Sequence, residues 1–176
     1  LMIYSSNYVA APFQRLRSVL QCRLLGDVDL VLESSVPDVL EARQRGISVS
    51  NDSQVFLESA PCRVVGITGS AGKTTTTALV GKMGELSSRY RKVWVGGNIG
   101  NPLLLDMGNV ESDDLAAMEL SSFQLEIMTA SPQVAGILNI SPNHLDRHGT
   151  MEEYVAVKAR ILDGQQSDDR AVLGWD

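Results

Sequence analysis

The sequence is poor in several features, and each shortage excludes a class of protein. It contains only two cysteines, Cys22 and Cys62, without the spacing of a metal site, so we expect a reduced, cytoplasmic protein. Its formal net charge of -6 lacks the basic surplus that non-specific nucleic-acid binding requires. No apolar run approaches the roughly 20 residues of a membrane span, and the first residues lack the pattern of a signal peptide. We therefore expect partners that are neither nucleic acid nor membrane.

The most informative segment is a run of glycines, a lysine and threonines that follows an apolar stretch. The β-branched residues over 64–68 predict a buried strand, and a helix is predicted over 74–82. The candidate phosphate-binding residues are Gly69, Ser70, Ala71, Gly72, Lys73, Thr74 and Thr75. Glycines let backbone N–H groups close around phosphate oxygens, a lysine reaches the β- and γ-phosphates, and a threonine hydroxyl ligates Mg²⁺. The segment therefore predicts a phosphate loop at a helix N-terminus.

One detail departs from the usual phosphate-loop pattern. That pattern places a glycine where this chain has Ile67, and Gly66 lies one position too early. The alternative interpretation is a plain Gly/Ser turn between a strand and a helix. A lysine that is followed by a hydroxyl residue and preceded by a buried strand favours phosphate binding.

Strand and helix patterns alternate along the rest of the chain, which predicts an α/β fold. Apolar runs over 93–95, 115–118 and 134–138 are typical of parallel strands that are covered on both faces. The elements predicted upstream are strands over 29–32 and 47–49 and helices over 35–45 and 52–59. Residues 1–28 show no clear pattern beyond a stretch over 12–21 that is compatible with a helix.

Polar residues follow the carboxyl ends of the predicted strands, which is where open α/β sheets bind ligands. The 96–100 segment (GGNIG) follows the first of them, and its Asn98 can donate and accept hydrogen bonds. Glu119 follows the second, where a P-loop enzyme places a Mg²⁺ ligand or a water-orienting acid. Both have a simpler alternative, namely a glycine-rich turn and a solvated carboxylate. The loop after the third strand holds both histidines of the chain, His144 and His148.

A lysine occupies an apolar position on the last predicted helix. Thr150 and Glu153 form a capping box, so this helix begins near residue 151. Its apolar stripe consists of Met151, Tyr154, Val155, Ile161 and Leu162. Lys158 falls in the middle of that stripe, and burial of a lysine lowers its pKa towards the neutral, nucleophilic amine. Either the stem is buried while the ammonium reaches water, or the helix brings Lys158 to a functional site.

Together these motifs resemble the Mur ligases. The segments that carry the resemblance are 68–74, 96–100, 119–126, 139–147 and 156–161. The block 119–126 (ELSSFQLE) is the most discriminating, and it is similar to that of the Mur ligases that add D-glutamate to UDP-N-acetylmuramoyl-L-alanine. The family's modified phosphate loop also accounts for Ile67. Another Mur or folylpolyglutamate-type ligase is the alternative within this resemblance.

The resemblance implies an ATP-dependent, ADP-forming amide ligase of peptidoglycan synthesis. In that reaction ATP phosphorylates the L-alanine carboxylate of UDP-N-acetylmuramoyl-L-alanine to an acyl phosphate. The amine of D-glutamate then attacks, and phosphate leaves. The chemistry suits the loop, which positions phosphates and spreads their negative charge rather than forming covalent bonds.

The resemblance also implies roles for individual residues. Lys73 would contact the β- and γ-phosphates of ATP, while Thr74 and Glu119 would hold one Mg²⁺. His144 and Lys158 would serve a second metal, with Lys158 carbamylated into a carboxylate-like ligand. The expected catalytic set is Lys73, Glu119, His144 and Lys158. The residues expected to face the muramoyl substrate are Asn98, Ser121, Phe123 and Gln124. No role is implied for His148, and we expect it to lie on the surface.

The resemblance divides the chain into two parts. Residues 1–60 would belong to an N-terminal, Rossmann-like UDP-binding domain, and 61–176 would be the first part of the central ATP-binding domain. Nothing before Asp29 resembles the Gly-rich turn that opens the family's first domain, and its C-terminal domain is absent. We therefore expect a fragment that is inactive alone and has the missing ligase domains as partners.

Two departures affect the expected site. Asn143 stands where many relatives carry an aspartate before the loop histidine, and Glu33-Ser34-Ser35 replaces a Ser-Pro-Gly turn that helps to bind UDP. Two other classes of function stay open. One is a non-catalytic Mur-like module that binds nucleotide. The other is a P-loop switch or kinase, although the Asn-Lys-x-Asp guanine signature is missing.

Overall fold

Two parallel sheets organise the chain in this computed structural model, which describes residues 2–4, 29–30, 44, 49–100, 102–143 and 145–174. The smaller sheet has the order β2-β1-β3 and consists of β1 (Met2–Tyr4), β2 (Asp29–Leu30) and β3 (Val49–Asn51). The larger sheet has the order β5-β6-β4-β7-β8. Its strands are β4 (Arg63–Thr68), β5 (Val93–Gly97), β6 (Leu115–Glu119), β7 (Val134–Ile137) and β8 (Arg170–Leu173).

Helices connect the strands of the larger sheet. The α-helices of the described residues are α1 (Asp52–Ser59), α2 (Lys73–Leu86), α3 (Ser122–Leu125), α4 (Leu145–His148) and α5 (Met151–Ala159). Short 3₁₀ helices span Leu103–Asn109 and Arg160–Leu162. Every strand pair in this sheet is parallel, as helical crossovers require.

The register of the central strands brings three loops to one edge of the larger sheet. β4 lies between β6 and β7, and it pairs Ile67 with Glu119 and Thr68 with Ile137. The adjacent β5 pairs Gly97 with the same Glu119. All of β6 is buried, including this terminal carboxylate. The loops after β4, β5 and β7 therefore meet around a buried acid.

The predicted α/β fold with a parallel sheet and flanking helices is confirmed. The four strands predicted over 64–138 lie within two residues of their expected bounds, and α1 spans the predicted 52–59. Helix α2 begins one residue early and runs four residues further than expected. Strand β3 begins at Val49, within the strand predicted over 47–49, and continues to Asn51. Strand β1 lies in the segment where no pattern was found, and β8 was not predicted.

Several predictions fall on residues outside the described part of the chain. They are the helix over 35–45, apart from helical Gln44, the stretch over 12–21 and the altered turn at 33–35. Residues 31–32 of the strand predicted over 29–32 and residues 47–48 of the strand predicted over 47–49 also lie outside it, while β2 (Asp29–Leu30) confirms the start of the first of these strands. The strands of the smaller sheet all precede residue 60 and those of the larger sheet all follow it, while the domain boundary itself stays a prediction. In the described residues, no helix has the length and apolar character to cross a membrane.

The early glycine of the phosphate-loop motif has a packing role. A Cβ on Gly66 would lie 2.6 Å from Cγ of Pro132 and 3.2 Å from Cδ1 of Leu120. Glycine at this strand position therefore lets the segment before β7 approach β4 closely. The contact gives Gly66 a packing role that does not require phosphate binding.

We predict that Gly66→Ala destabilises the fold by about 1–3 kcal/mol, because the added methyl group overpacks the contact with Pro132. Urea unfolding followed by circular dichroism measures the change. Gly108→Ala is the matched control, since no atom lies within 4 Å of a Cβ built there. Equal stabilities of the two variants would contradict this explanation of Gly66.

Candidate nucleotide-binding site

The segment between β4 and α2 has the backbone of a phosphate loop. Gly69 and Gly72 adopt φ values of 148° and 82°, a backbone conformation that residues other than glycine rarely adopt. Gly72 is the N-cap of α2, and no described side chain caps that end. The first N–H groups of a helix have no acceptor within the helix, so the N-terminus of α2 presents donors to an anion.

Residues after β7 hold this loop in place. The N–H of Ser70 donates to the carbonyl of Asn139 at 2.9 Å. The side chain of Asn139 accepts from the N–H of Ala71 and donates to the carbonyl of Ala71, both at 3.0 Å. The N–H of Ser141 donates to Oγ of Ser70 at 2.9 Å. The loop is therefore shaped by protein contacts, and sequence reasoning missed this role of Asn139, whose only signal was its place after a strand.

A carboxylate, a hydroxyl and an amide meet beside the loop. Oγ1 of Thr74 donates to Oε2 of Glu119 at 2.8 Å, and Nδ2 of Asn98 donates to Oε1 of Glu119 at 3.1 Å. Glu119 is only 2% exposed. The structure thus brings together the predicted Mg²⁺ residues Thr74 and Glu119, and their hard oxygen atoms fit that ion.

The predicted second metal position is less complete. His144 lies outside the described residues. Among the residues that the structure does describe, no group of three His, Cys, Asp or Glu side chains could hold a metal ion. The side chain of an unmodified lysine has no oxygen atom with which to bind Mg²⁺. A second metal site therefore stays a prediction that depends on His144 and on a modified Lys158.

Lys158 is buried and points at the phosphate loop. It is 1% exposed, and its Nζ donates to the carbonyl of Gly69 at 2.9 Å. The ammonium also lies 4.6 Å from the centroid of the Tyr154 ring. The alternative in which this ammonium reaches water is therefore wrong. The capping box at Thr150 and Glu153 is confirmed, while Val155 of the predicted apolar stripe is 41% exposed.

Burial lowers the pKa of Lys158 to about 8, and the positive charge of Lys73 acts in the same direction. Nζ of Lys73 itself donates to the carbonyls of Gly69 and Ser70, at 3.1 and 3.3 Å. Two lysines thus converge on the Gly69 carbonyl. The two ammonium groups therefore concentrate positive charge beside the backbone N–H groups of the loop.

A pocket of about 160 Å³ opens beside these lysines. Its lining residues are Lys73, Asn98, Ser121, Ser122, Phe123, Asn143, Tyr154 and Lys158. Three of the four residues predicted to face a substrate, namely Asn98, Ser121 and Phe123, are therefore at the pocket. Sequence reasoning did not single out Ser122, and it treated Tyr154 only as a core residue.

Gln124, the fourth predicted substrate residue, is turned inward. It is 1% exposed, its Oε1 accepts from the N–H of Ser121 at 2.9 Å, and its Nε2 donates to Oγ of Ser53 at 2.9 Å. The side chain of Asn51 donates to the backbone carbonyl of Gln124 at 2.9 Å. In this structure Gln124 thus ties the 119–126 block to α1 instead of contacting the pocket.

The prediction that His148 lies on the surface is wrong. Its side chain is 2% exposed, and its ring stacks on Phe123 with centroids 5.5 Å apart. The cause is α4, a short helix that was not predicted and that turns the ring towards α3 and α5. Sequence patterns contained no signal for this contact.

The structure has a P-loop-type α/β architecture, with a glycine loop before a helix and a buried acid on the neighbouring strand. The particular family follows from sequence comparison, in which residues 67–176 match the family described as "Mur ligase middle domain". The chain belongs to the Mur ligase family.

Individual relatives agree with this assignment. The chain is 47% identical over 141 residues to a UDP-N-acetylmuramoylalanine–D-glutamate ligase of Acetivibrio thermocellus, and the match covers 80% of this chain and 30% of that protein. A ligase of the same name from Symbiobacterium thermophilum is 43% identical over 157 residues, covering 86% and 34%. A crystal structure of MurF from Thermotoga maritima in complex with ADP has a TM-score of 0.52 and 25% identity, covering 86% and 35%. The chain thus spans about a third of the length of these relatives.

We predict that Lys158→Met removes a pH dependence of stability. The pKa of Lys158 has its ordinary value of 10.5 in the unfolded chain, whereas it is about 8 in the folded chain. The unfolded state therefore binds more protons in this window, and wild-type stability rises relative to the variant by at most about 1.4 kcal/mol per pH unit.

Urea unfolding of both proteins at pH 7, 8 and 9 measures this difference. The stability advantage of the methionine variant is expected to be largest at pH 7 and to shrink as pH rises. A constant difference between the two proteins across this range would show that the Lys158 amine does not titrate there.

Proposed function

We propose that this chain supplies the ATP-binding part of an ADP-forming ligase that adds D-glutamate to UDP-N-acetylmuramoyl-L-alanine in the cytoplasm during peptidoglycan synthesis. The observation that carries the proposal is the convergence of Lys73, Lys158, Thr74 and Glu119 on one glycine loop. The names of the two ligase relatives supply the substrates of the proposed reaction.

The reaction has two steps. The L-alanine carboxylate of the nucleotide sugar attacks the γ-phosphorus of ATP, which forms an acyl phosphate and releases ADP. The amine of D-glutamate then attacks the acyl carbon, the amide bond forms, and phosphate leaves with the electrons of the C–O bond. Because negative charge accumulates on the transferred phosphoryl group, positioning and charge neutralisation are the main tasks of the protein.

Residues 69–75 would hold the phosphates. The N–H groups at the start of α2 would donate to phosphate oxygens, and Lys73 would exchange the carbonyls of Gly69 and Ser70 for phosphate contacts. These carbonyls are weaker partners for an ammonium than an anionic phosphate, so the exchange is favourable. The contacts of Ser70 and Ala71 with Asn139 would keep the loop open while this exchange occurs.

Thr74 and Glu119 would hold Mg²⁺, which neutralises phosphate charge when it is bound. The hydrogen bond from Asn98 would orient the Glu119 carboxylate for this purpose. His144 and Lys158 would serve a second Mg²⁺ after the Lys158 amine has bonded to the carbon of CO₂ and lost a proton. The lowered pKa supports this modification, because only the neutral amine has the free electron pair.

The muramoyl substrate would lie in the pocket against Asn98, Ser121 and Phe123. We assign Gln124 a supporting role there, because it holds the backbone and hydroxyl of Ser121 through its Oε1. Residues 1–60 would contribute to a UDP-binding domain and 61–176 to the central ATP-binding domain. Contacts with D-glutamate would come from the family's C-terminal domain as a further partner.

We predict that Lys73→Ala weakens binding of Mg²⁺-ATP by about 10- to 100-fold, the usual loss when a charge-assisted hydrogen bond to phosphate is removed. Isothermal titration calorimetry of the chain with Mg²⁺-ATP measures the dissociation constant. Lys82→Ala is the matched control, since Lys82 lies on the same helix and forms an exposed ion pair with Glu85. Equal ATP affinity in the Lys73 variant and wild type would contradict the proposed site.

A further inference from the structure

His148 contacts three of the residues that line the pocket. Its Nε2 lies 2.9 Å from Oγ of Ser122, its ring stacks on Phe123, and it meets the ring of Tyr154 at 5.1 Å and a tilt of 41°. On its other side, Nδ1 lies 3.2 Å from Oε1 of Glu126. A buried imidazole is thus placed between a carboxylate and the hydroxyl of Ser122, a residue that lines the pocket.

The neighbouring charges determine where the imidazole proton lies. A lone pair on Nδ1 would face the negative Oε1 of Glu126 at 3.2 Å, so a neutral imidazole carries its proton on Nδ1. Nε2 then carries a lone pair and accepts the hydroxyl proton of Ser122. The Ser122 oxygen keeps its own lone pairs, which can accept a hydrogen bond but not donate one.

We propose that Glu126 and His148 are positioning residues that present the Ser122 oxygen as an acceptor to the pocket, so that the bound ligand places a neutral N–H or O–H donor there. A carboxylate or phosphate oxygen at this position would meet lone pairs and lose a hydrogen bond. The inference deepens the proposed function, and it rests on that function only for the identity of the ligand. The donor would be an amide N–H or a sugar hydroxyl of the nucleotide-sugar substrate.

The stacking of His148 on Phe123 gives the arrangement its rigidity. The Arg147 guanidinium also lies 5.3 Å from the centroid of the Phe123 ring. Tyr154 links the group to the phosphate loop, because Oγ of Ser70 donates to its hydroxyl at 3.3 Å. His148 thus makes two kinds of contact, a stacking contact with Phe123 and a hydrogen bond with Ser122. Substitutions that remove one contact and keep the other can distinguish their effects.

The first test determines the His148 tautomer by NMR in the chain labelled with ¹⁵N-histidine. The chain has two histidines, and the signals that disappear in His148→Phe identify the ring. At pH 8 we expect the proton on Nδ1 and none on Nε2, and we expect Glu126→Ala to move protons towards Nε2. A protonated Nε2 in the wild type, as either tautomer or imidazolium, would overturn the proposal whether or not substrate binds.

The second test compares the binding of UDP-N-acetylmuramoyl-L-alanine by calorimetry in His148→Phe and His148→Gln. Phenylalanine keeps an aromatic ring against Phe123 without an acceptor, whereas glutamine keeps an acceptor for Ser122 without the ring. We expect about a tenfold loss of affinity in the phenylalanine variant and in Ser122→Ala, with partial recovery in the glutamine variant. Circular dichroism of all three variants checks that each is folded.

The reverse order, with phenylalanine tolerated and glutamine not, would mean that His148 acts only by stacking, and it would overturn the proposal. Failure of the wild-type chain to bind the nucleotide sugar, while it still binds Mg²⁺-ATP, would count against the proposed substrate. In that case the tautomer alone decides the role of Glu126 and His148.

Discussion

The site depends on the pairing of β4 with β7, because this pairing places the 139–141 segment against the phosphate loop. Thr68 and Ile137 are partners in that register, so the residues that follow them leave the sheet side by side. The side chain of Asn139 then bonds to the N–H and to the carbonyl of Ala71. The backbone carbonyl of Asn139 accepts from the N–H of Ser70. The loop conformation is thereby built into the sheet, and a nucleotide would not have to order it on binding.

The charged side chains of the site lie at the same edge of the larger sheet. β6 ends on a buried carboxylate, and α5 delivers a buried lysine to the carbonyl of Gly69, beside Lys73. Burial and the positive charge of Lys73 lower the pKa of Lys158, and a bound polyphosphate would offset this positive charge. The described residues thus hold a strongly polar arrangement that favours a ligand with both phosphate and divalent cation.

Local sequence patterns were sufficient for the elements that carry this edge. Strands β4 to β7 and the starts of α2 and α5 each have a signal within a few neighbouring residues, and the structure confirms them to within one residue at these helix starts and two at the strand bounds. The glycine loop between β4 and α2 has such a signal too, and its phosphate-binding role stays a prediction. The unusual position of Lys158 was predictable, because a charged residue within the apolar stripe of a helix is visible from a few neighbouring residues. Patterns of this kind also identified the Mur ligase family.

The remaining features depend on contacts between distant parts of the chain. Gln124 bonds to Ser53, and Ser122 meets His148, across separations of 71 and 26 residues. No periodicity in the sequence encodes such pairs, so the inward position of Gln124 and the burial of His148 were not predictable. The packing role of Gly66 was not predictable either, because it depends on the contact with Pro132, which is distant in the sequence.

The most direct measurement is the change in ¹⁵N backbone amide NMR shifts of the chain when Mg²⁺-ATP is added. The account predicts that the largest changes fall on residues 69–75 and on Glu119, with smaller ones at Asn139 and Ser141, whose contacts shape the loop. Changes that cluster away from this edge of the larger sheet would contradict it, because ATP would then bind without the glycine loop.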